Sequence, residues 1–123
     1  MGWRRWRKSV NFALRGIGYG WSTQPNLRIH GVIALLVLLL GAVLKLRTWE
    51  WVALFFAIAF VIVAEMINTA IECTVDLVTR EYHPLAKNAK NIAAGAVLVT
   101  AANAVLVGLL VLGPHLWKLI VSG

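Results

Sequence analysis

The sequence is poor in charge and in cysteine. Of its 123 residues only 14% are charged, whereas 60% are hydrophobic, and a soluble domain of this length needs a larger share of polar surface. Because Cys73 is the single cysteine, an intrachain disulfide is excluded. The composition predicts a membrane protein made of one domain, residues 1–123.

Acidic residues are scarcer than basic ones, with 5 Asp and Glu against 12 Lys and Arg. Such an excess can mark a nucleic-acid-binding protein. Here, however, the cations flank long apolar runs instead of forming one solvated face, so no nucleic-acid partner is expected. The sequence also lacks the G-x-x-x-x-G-K-[ST] motif, which excludes a phosphate-binding loop of that type.

Three apolar runs, 31–44, 51–64 and 92–112, are candidates for membrane spans. The third is long enough by itself, whereas the first two need their flanking residues, helped by basic side chains that reach the headgroups. The second run continues past Glu65 as a helical pattern to about Val78. We predict an all-α integral membrane fold with transmembrane helices over 26–47, 49–79 and 86–112.

The segment 1–25 interleaves cations with aromatic and aliphatic residues. That mixture is typical of an amphipathic helix lying in the membrane interface, and a disordered basic leader is the alternative. Gln24-Pro25-Asn26 and His83-Pro84 are signals that break the chain before the first and third spans. Most cations lie in this segment or between the second and third spans, which predicts a cytoplasmic N-terminus.

A polar stripe interrupts the second span. Glu65, Asn68, Glu72 and Asp76 are three or four residues apart, so on a helix they share one face, and that face must meet protein or water. Glu65 lies about 21 Å along the helix from Trp51, in the cytoplasmic third of a core of about 30 Å. An acid at that depth favours chemistry between a lipid headgroup and a water-soluble substrate. The alternatives are hydrogen bonding between helices, a channel or proton relay, and a non-catalytic scaffold.

The loop after the second span is rich in polar residues. Lys87 and Lys90 stand at the start of the third span, where they oppose the helix dipole and therefore call for an anionic partner, a phosphate or a lipid headgroup. Glu65, Glu72 and Lys90 could supply the base, the metal ligand and the cation that phosphoryl transfer requires. His83 is expected to be a loop hydrogen-bonder, and Asp76 a surface or capping charge.

Three short spans cannot enclose a polar stripe from all sides. A neighbouring subunit is therefore expected to complete the site, and the small residues 93–95 and 101–102 of the third span would allow close helix contact.

At this point the residues carry a resemblance. The stretch 65–76, EMINTAIECTVD, resembles the signature E-x-[aliphatic]-N-[ST]-A-[aliphatic]-E-x-x-V-D of the prokaryotic diacylglycerol kinase family, and 12–16, 26–30 and 81–96 are also similar to that family. Arg28-Ile29-His30 and His83-Pro84-Leu85 look closer to its undecaprenol kinase branch. The resemblance implies a homotrimeric helix bundle in the bacterial inner membrane. It also implies transfer of phosphate from ATP, with Mg²⁺, to undecaprenol, the alternatives being diacylglycerol or a catalytically weakened homologue.

The resemblance also implies roles for individual residues. Glu65 would be the general base for the lipid hydroxyl, and Glu72 and Gln24 the magnesium ligands. The expected nucleotide contacts are Arg5, Phe12, Gln24, Glu72, Glu81, Tyr82, His83, Lys90 and Asn91. The expected lipid contacts are Arg15, Trp21, Asn26, Arg28, Glu65, Asn68 and Ala94.

Two positions depart from the family pattern. Gln24 stands where a second metal-binding glutamate is frequent, and Asn91 stands where an aspartate usually follows the lysine. A neutral oxygen can still bind magnesium, but with less charge. We expect both changes to weaken phosphoryl transfer, because charge-assisted contacts are the strong ones.

Overall fold

Four α-helices make up the chain in the computed structural model, which describes residues 2–123. They are α1 (Gly2–Thr23), α2 (Pro25–Leu44), α3 (Thr48–Val78) and α4 (Pro84–Ser122). Met1, which belongs to the predicted domain 1–123 and to the predicted interfacial segment 1–25, lies outside the described residues. Within them the fold is all-helical, as predicted.

Three of these helices, α2, α3 and α4, are long and apolar enough to cross a membrane. This finding confirms the prediction of three membrane helices. The end of the bundle that carries Gln24 and the segment 79–83 is called the loop end below. The opposite end, which carries the turn at 45–47, is called the far end.

Helices α2 and α4 begin at the two predicted breaks in the chain. Gln24 and His83 are extended and precede Pro25 and Pro84, each the first residue of its helix. Proline suits that position because the first N–H groups of a helix have no partner inside it. His83 Nδ1 also accepts the N–H of Leu85 at 3.1 Å, so the expectation that His83 is a loop hydrogen-bonder is confirmed.

Two helix ends differ by more than two residues from the bounds predicted from the sequence. The first span was predicted to end at 47, but α2 ends at Leu44 because Lys45 adopts a left-handed conformation with φ 55°, which residues other than glycine seldom do. The third span was predicted to end at 112, whereas α4 continues through Pro114 to Ser122. Proline within an apolar helix is tolerated when neighbouring groups satisfy the freed carbonyl.

The N-terminal segment is helical, so the alternative of a disordered leader is wrong. Helix α1 contacts α2 and α3 and is otherwise exposed. Leu27 of α2 packs against Gly20, and the Trp21 ring packs so closely on Gly31 that a Cβ there would lie 2.5 Å from it. These contacts fix the C-terminal part of α1 to the start of α2.

Helices α3 and α4 form the most extensive helix pair. A cluster of four buried residues closes the far end of the bundle: Leu46, Leu54, Val111 and Leu112. Glu50 lies in the same region and is only 5% exposed. Its Oε1 accepts the N–H of Arg47 at 3.1 Å, and its Oε2 lies 2.8 Å from His115 Nε2. This pair fastens the extension of α4 to the start of α3.

Replacing His115 with Ala should lower the melting temperature of the purified protein in detergent, because it leaves a buried carboxylate with one partner fewer. The measurement is a thermal melt followed by circular dichroism. The matched control is Lys118→Ala, a change at a nearby exposed position on α4. Equal melting temperatures for the two variants would show that the pair does not hold the helices together.

Candidate active site

Glu65 is the most buried carboxylate of the described residues, with 3% of its surface exposed. It lies on α3, and the hydroxyl of Thr69, one turn further on, donates to the Glu65 backbone carbonyl at 2.9 Å. That bond leaves the carboxylate itself free for other groups. The stripe predicted from spacing is therefore turned into the bundle at Glu65.

The contact to the Glu65 carboxylate comes from α2. His30 Nε2 lies 3.3 Å from Glu65 Oε1, and the His30 side chain keeps 27% of its surface exposed. Sequence reasoning did not identify this neighbour. No local pattern could have indicated it, because the contact depends on how α2 packs against α3.

Asn68 and Glu72 continue the same face towards the loop end. Asn68 Nδ2 donates to Glu72 Oε1 at 3.2 Å. Asn68 Oδ1 is buried, and no hydrogen-bond partner reaches it from residues 2–123. An oxygen without a partner beside a carboxylate is a donor set that suits a hard cation such as Mg²⁺.

These side chains fit a magnesium ion only as part of a larger set. Across residues 2–123 there is no group of three or more His, Cys, Asp or Glu side chains placed to hold a metal. Gln24, the other expected ligand, is half-buried at the start of α2. A bound Mg²⁺ would therefore need further oxygens from phosphate, water or another protein chain.

Asp76 and Lys90 link α3 to α4. Lys90 Nζ lies 2.6 Å from Asp76 Oδ1, and both side chains are partly exposed. Asp76 was expected to be a surface or capping charge, and it is a partly exposed surface charge that is paired with Lys90. The sequence predicted an anionic partner for Lys90, and within this chain that partner is the carboxylate of Asp76. A short loop between antiparallel helices is the signal that could have revealed the pair.

The loop end carries a polar cavity of about 380 Å³. Five expected nucleotide contacts lie together in its wall, namely Glu81, Tyr82, His83, Lys90 and Asn91. The rest of the wall is formed by Thr79, Arg80, Ala86 and Lys87. The cavity therefore combines four basic or imidazole side chains with one carboxylate.

The other expected contacts do not line this cavity. Among the described residues, Arg5, Phe12 and Arg15 are exposed on α1, whereas Gln24 and Glu72 lie elsewhere at the loop end. Of the expected lipid contacts, Trp21 packs on Gly31. Asn26 and Arg28 are exposed on the first turn of α2, and Ala94 is exposed on α4. The other two expected lipid contacts lie on α3, where Glu65 is buried and Asn68 is half-buried.

An apolar cavity of about 410 Å³ lies between α2, α3 and α4. Its wall consists of aliphatic residues together with small ones such as Ala57 and Gly108, and His30 is the one polar side chain among the described residues that line it. The cavity extends from His30 of α2 to Leu116 of α4. Such a space can take a hydrocarbon chain.

The comparisons with known proteins agree on one family. The family model described as prokaryotic diacylglycerol kinase matches residues 11–112. An undecaprenol kinase of Bacillus subtilis is 44% identical over 112 residues, which is 91% of this chain and 91% of its own length. A diacylglycerol kinase of Synechocystis is 41% identical over 92% of this chain and 65% of its own length. A diacylglycerol kinase of Escherichia coli is 30% identical over 93% of both chains.

Proposed function

Because this chain belongs to the prokaryotic diacylglycerol kinase family and is a lipid kinase, we propose that it transfers the γ-phosphate of ATP to the hydroxyl of undecaprenol. The observation that carries this proposal is the position of Glu65. A buried carboxylate lies between an apolar cavity that can take a lipid tail and a polar loop end that can take phosphates.

Glu65 acts as the general base in this proposal. The hydroxyl O–H bond of the lipid breaks and its proton passes to the carboxylate. The lipid oxygen then bonds to the γ-phosphorus as the bond to ADP breaks. A positioned base contributes about 10²- to 10⁴-fold to such a step. The lipid tail would occupy the apolar cavity. Arg15, Trp21, Asn26, Arg28 and Ala94 lie outside the wall of that cavity and would contact other parts of the lipid.

The nucleotide would bind at the loop end. Lys90 and Lys87 would attract the phosphates, and the rings of Tyr82 and His83 would pack against the adenine of the nucleotide. Arg5 and Phe12 would join this ligand set from α1, in the same chain or a neighbouring one. Asn68, Glu72 and Gln24 would hold Mg²⁺, which neutralises phosphate charge when it is bound.

Undecaprenol is preferred to diacylglycerol as the acceptor. The 44% identical relative is an undecaprenol kinase. Diacylglycerol is the second candidate because several relatives are diacylglycerol kinases.

The same proposal includes a homotrimer in the bacterial inner membrane with a cytoplasmic N-terminus. On the geometry of a helix, Trp6, Val10 and Ile17 share one face of α1, and Lys8 and Arg15 the opposite face, which supports an interfacial position. Exposed Asn103 lies among small residues of α4, and a polar group at that depth favours contact with another helix over contact with lipid.

The test is transfer of radiolabelled phosphate from ATP to lipid in detergent micelles, with undecaprenol and diacylglycerol assayed in parallel. We expect a higher kcat/KM for undecaprenol and no transfer when Mg²⁺ is removed with EDTA. Equal or greater transfer to diacylglycerol would overturn the choice of acceptor. The mass of the detergent-solubilised protein, measured by light scattering, tests the trimer.

Replacing Asn91 with Asp should raise the rate of ATP turnover several-fold. Asn91 lies beside Lys90 in the wall of the loop-end cavity, and an added carboxylate there would strengthen contacts to Lys90 or to Mg²⁺. Steady-state kinetics at saturating lipid measures the change. The control is Asn88→Asp, which adds the same charge at an exposed position outside the cavity wall. A rate no higher than that of the unmodified protein would contradict the expected weakening by Asn91.

A further inference from the structure

Two buried glutamates of α3 each contact one histidine of another helix. At the far end Glu50 meets His115 of α4, and at the depth of the candidate base Glu65 meets His30 of α2. The two pairs have the same chemical composition but different surroundings. The two pairs differ in how many oxygens of the glutamate have partners within the protein.

The far-end pair uses the whole carboxylate. One oxygen of Glu50 accepts the backbone N–H of Arg47, and the other contacts His115. Both oxygens of Glu50 therefore have partners within the protein, which agrees with a structural role for this pair.

The inner pair leaves one carboxylate oxygen available. His30 Nε2 lies 3.3 Å from Oε1 of Glu65, no such neighbour lies beside Oε2, and no hydrogen bond within residues 2–123 reaches either oxygen. The hydroxyl of Thr69 donates to the backbone carbonyl of Glu65 and not to its carboxylate. Among the described residues, the polar side chain beside the carboxylate is therefore that of His30. A carboxylate that is 3% exposed among apolar helices needs such a partner if it is to act in its ionised form.

His30 also belongs to the wall of the apolar cavity. The histidine therefore contacts the base on one side and borders the space for the lipid tail on the other. A lipid whose tail fills this cavity would bring its hydroxyl past His30 to reach Glu65.

We propose that His30 is a positioning residue for phosphoryl transfer, whose Nε2–H holds Oε1 of Glu65 and leaves Oε2 to take the proton of the lipid hydroxyl. The 3.3 Å contact is an ion-pair distance without an aligned hydrogen bond, and catalytic hydrogen bonds are often poorly aligned until substrate binds. This inference rests on the proposed function, in which Glu65 is the base.

The experiment compares two replacements of similar length in the full-length protein. His30→Gln keeps an N–H donor, whereas His30→Met keeps the apolar contacts without one. We expect His30→Met to lower kcat about 10- to 100-fold, the loss typical of removing a group that orients a functional side chain. KM for ATP should stay unchanged, and His30→Gln should recover most of kcat.

The matched control is His115→Met, which makes the same change in the structural pair. We expect its kcat, measured below its melting temperature, to equal that of the unmodified protein. Equal kcat for His30→Met and His30→Gln, or a loss confined to KM for the lipid, would overturn the positioning role. If Glu65→Gln kept full activity, the base assignment would fail instead, so the two failures are distinguishable.

Discussion

Replacing Glu65 with Gln is expected to lower kcat about 10²- to 10⁴-fold, the range that a positioned general base contributes. The amide has nearly the same shape and can still meet His30, so packing around position 65 should hold. It cannot accept the hydroxyl proton, however, and the loss should appear in kcat with ATP binding unchanged. Phosphate transfer to undecaprenol, measured together with ATP affinity, checks this expectation.

Glu50→Gln is the matched control for that experiment. It makes the same substitution at the other buried glutamate of α3, which also contacts a histidine but lies at the far end. We expect its kcat to be unchanged at temperatures where it is folded. If both variants lost activity equally, the defect at Glu65 would be one of helix packing. Full activity of Glu65→Gln would exclude Glu65 as the base.

Replacing Glu72 with Gln is expected to raise the Mg²⁺ concentration that gives half-maximal rate at least about 10-fold. Glu72 offers the carboxylate beside the unpartnered oxygen of Asn68, and removal of its charge weakens the attraction to a divalent cation. Gln24→Glu should act in the opposite sense, because it adds a carboxylate where the chain has a neutral amide. Titration of the transfer rate with Mg²⁺ measures both shifts.

Cys73→Ser is the control for the magnesium titrations. Cys73 is adjacent to Glu72 on α3 but exposed, so its replacement should leave the dependence on Mg²⁺ unchanged. An unaltered dependence in Glu72→Gln would remove Glu72 from the metal site. Gln24 would be removed in turn if Gln24→Glu behaved like the unmodified protein.

Local chemistry explains why much of the fold could be predicted. The prolines at 25 and 84 begin helices because their ring suits the first helical position, and α3 ends at Val78, as its pattern indicated. The far ends were less predictable. Lys45 takes a left-handed conformation that is usual for glycine, and α4 continues through Pro114, a residue that normally ends or kinks a helix.

By itself the sequence determined the membrane class, the three apolar helices and the polar stripe from Glu65 to Asp76, because hydrophobic length and helical spacing are properties of neighbouring residues. Only the tertiary structure decided which of these side chains have partners. Asp76 of α3 pairs with Lys90 of α4, and Glu65 of α3 contacts His30 of α2. Both contacts depend on the rotation and register of packed helices, which arise from many weak contacts between distant segments and leave no mark on either segment alone.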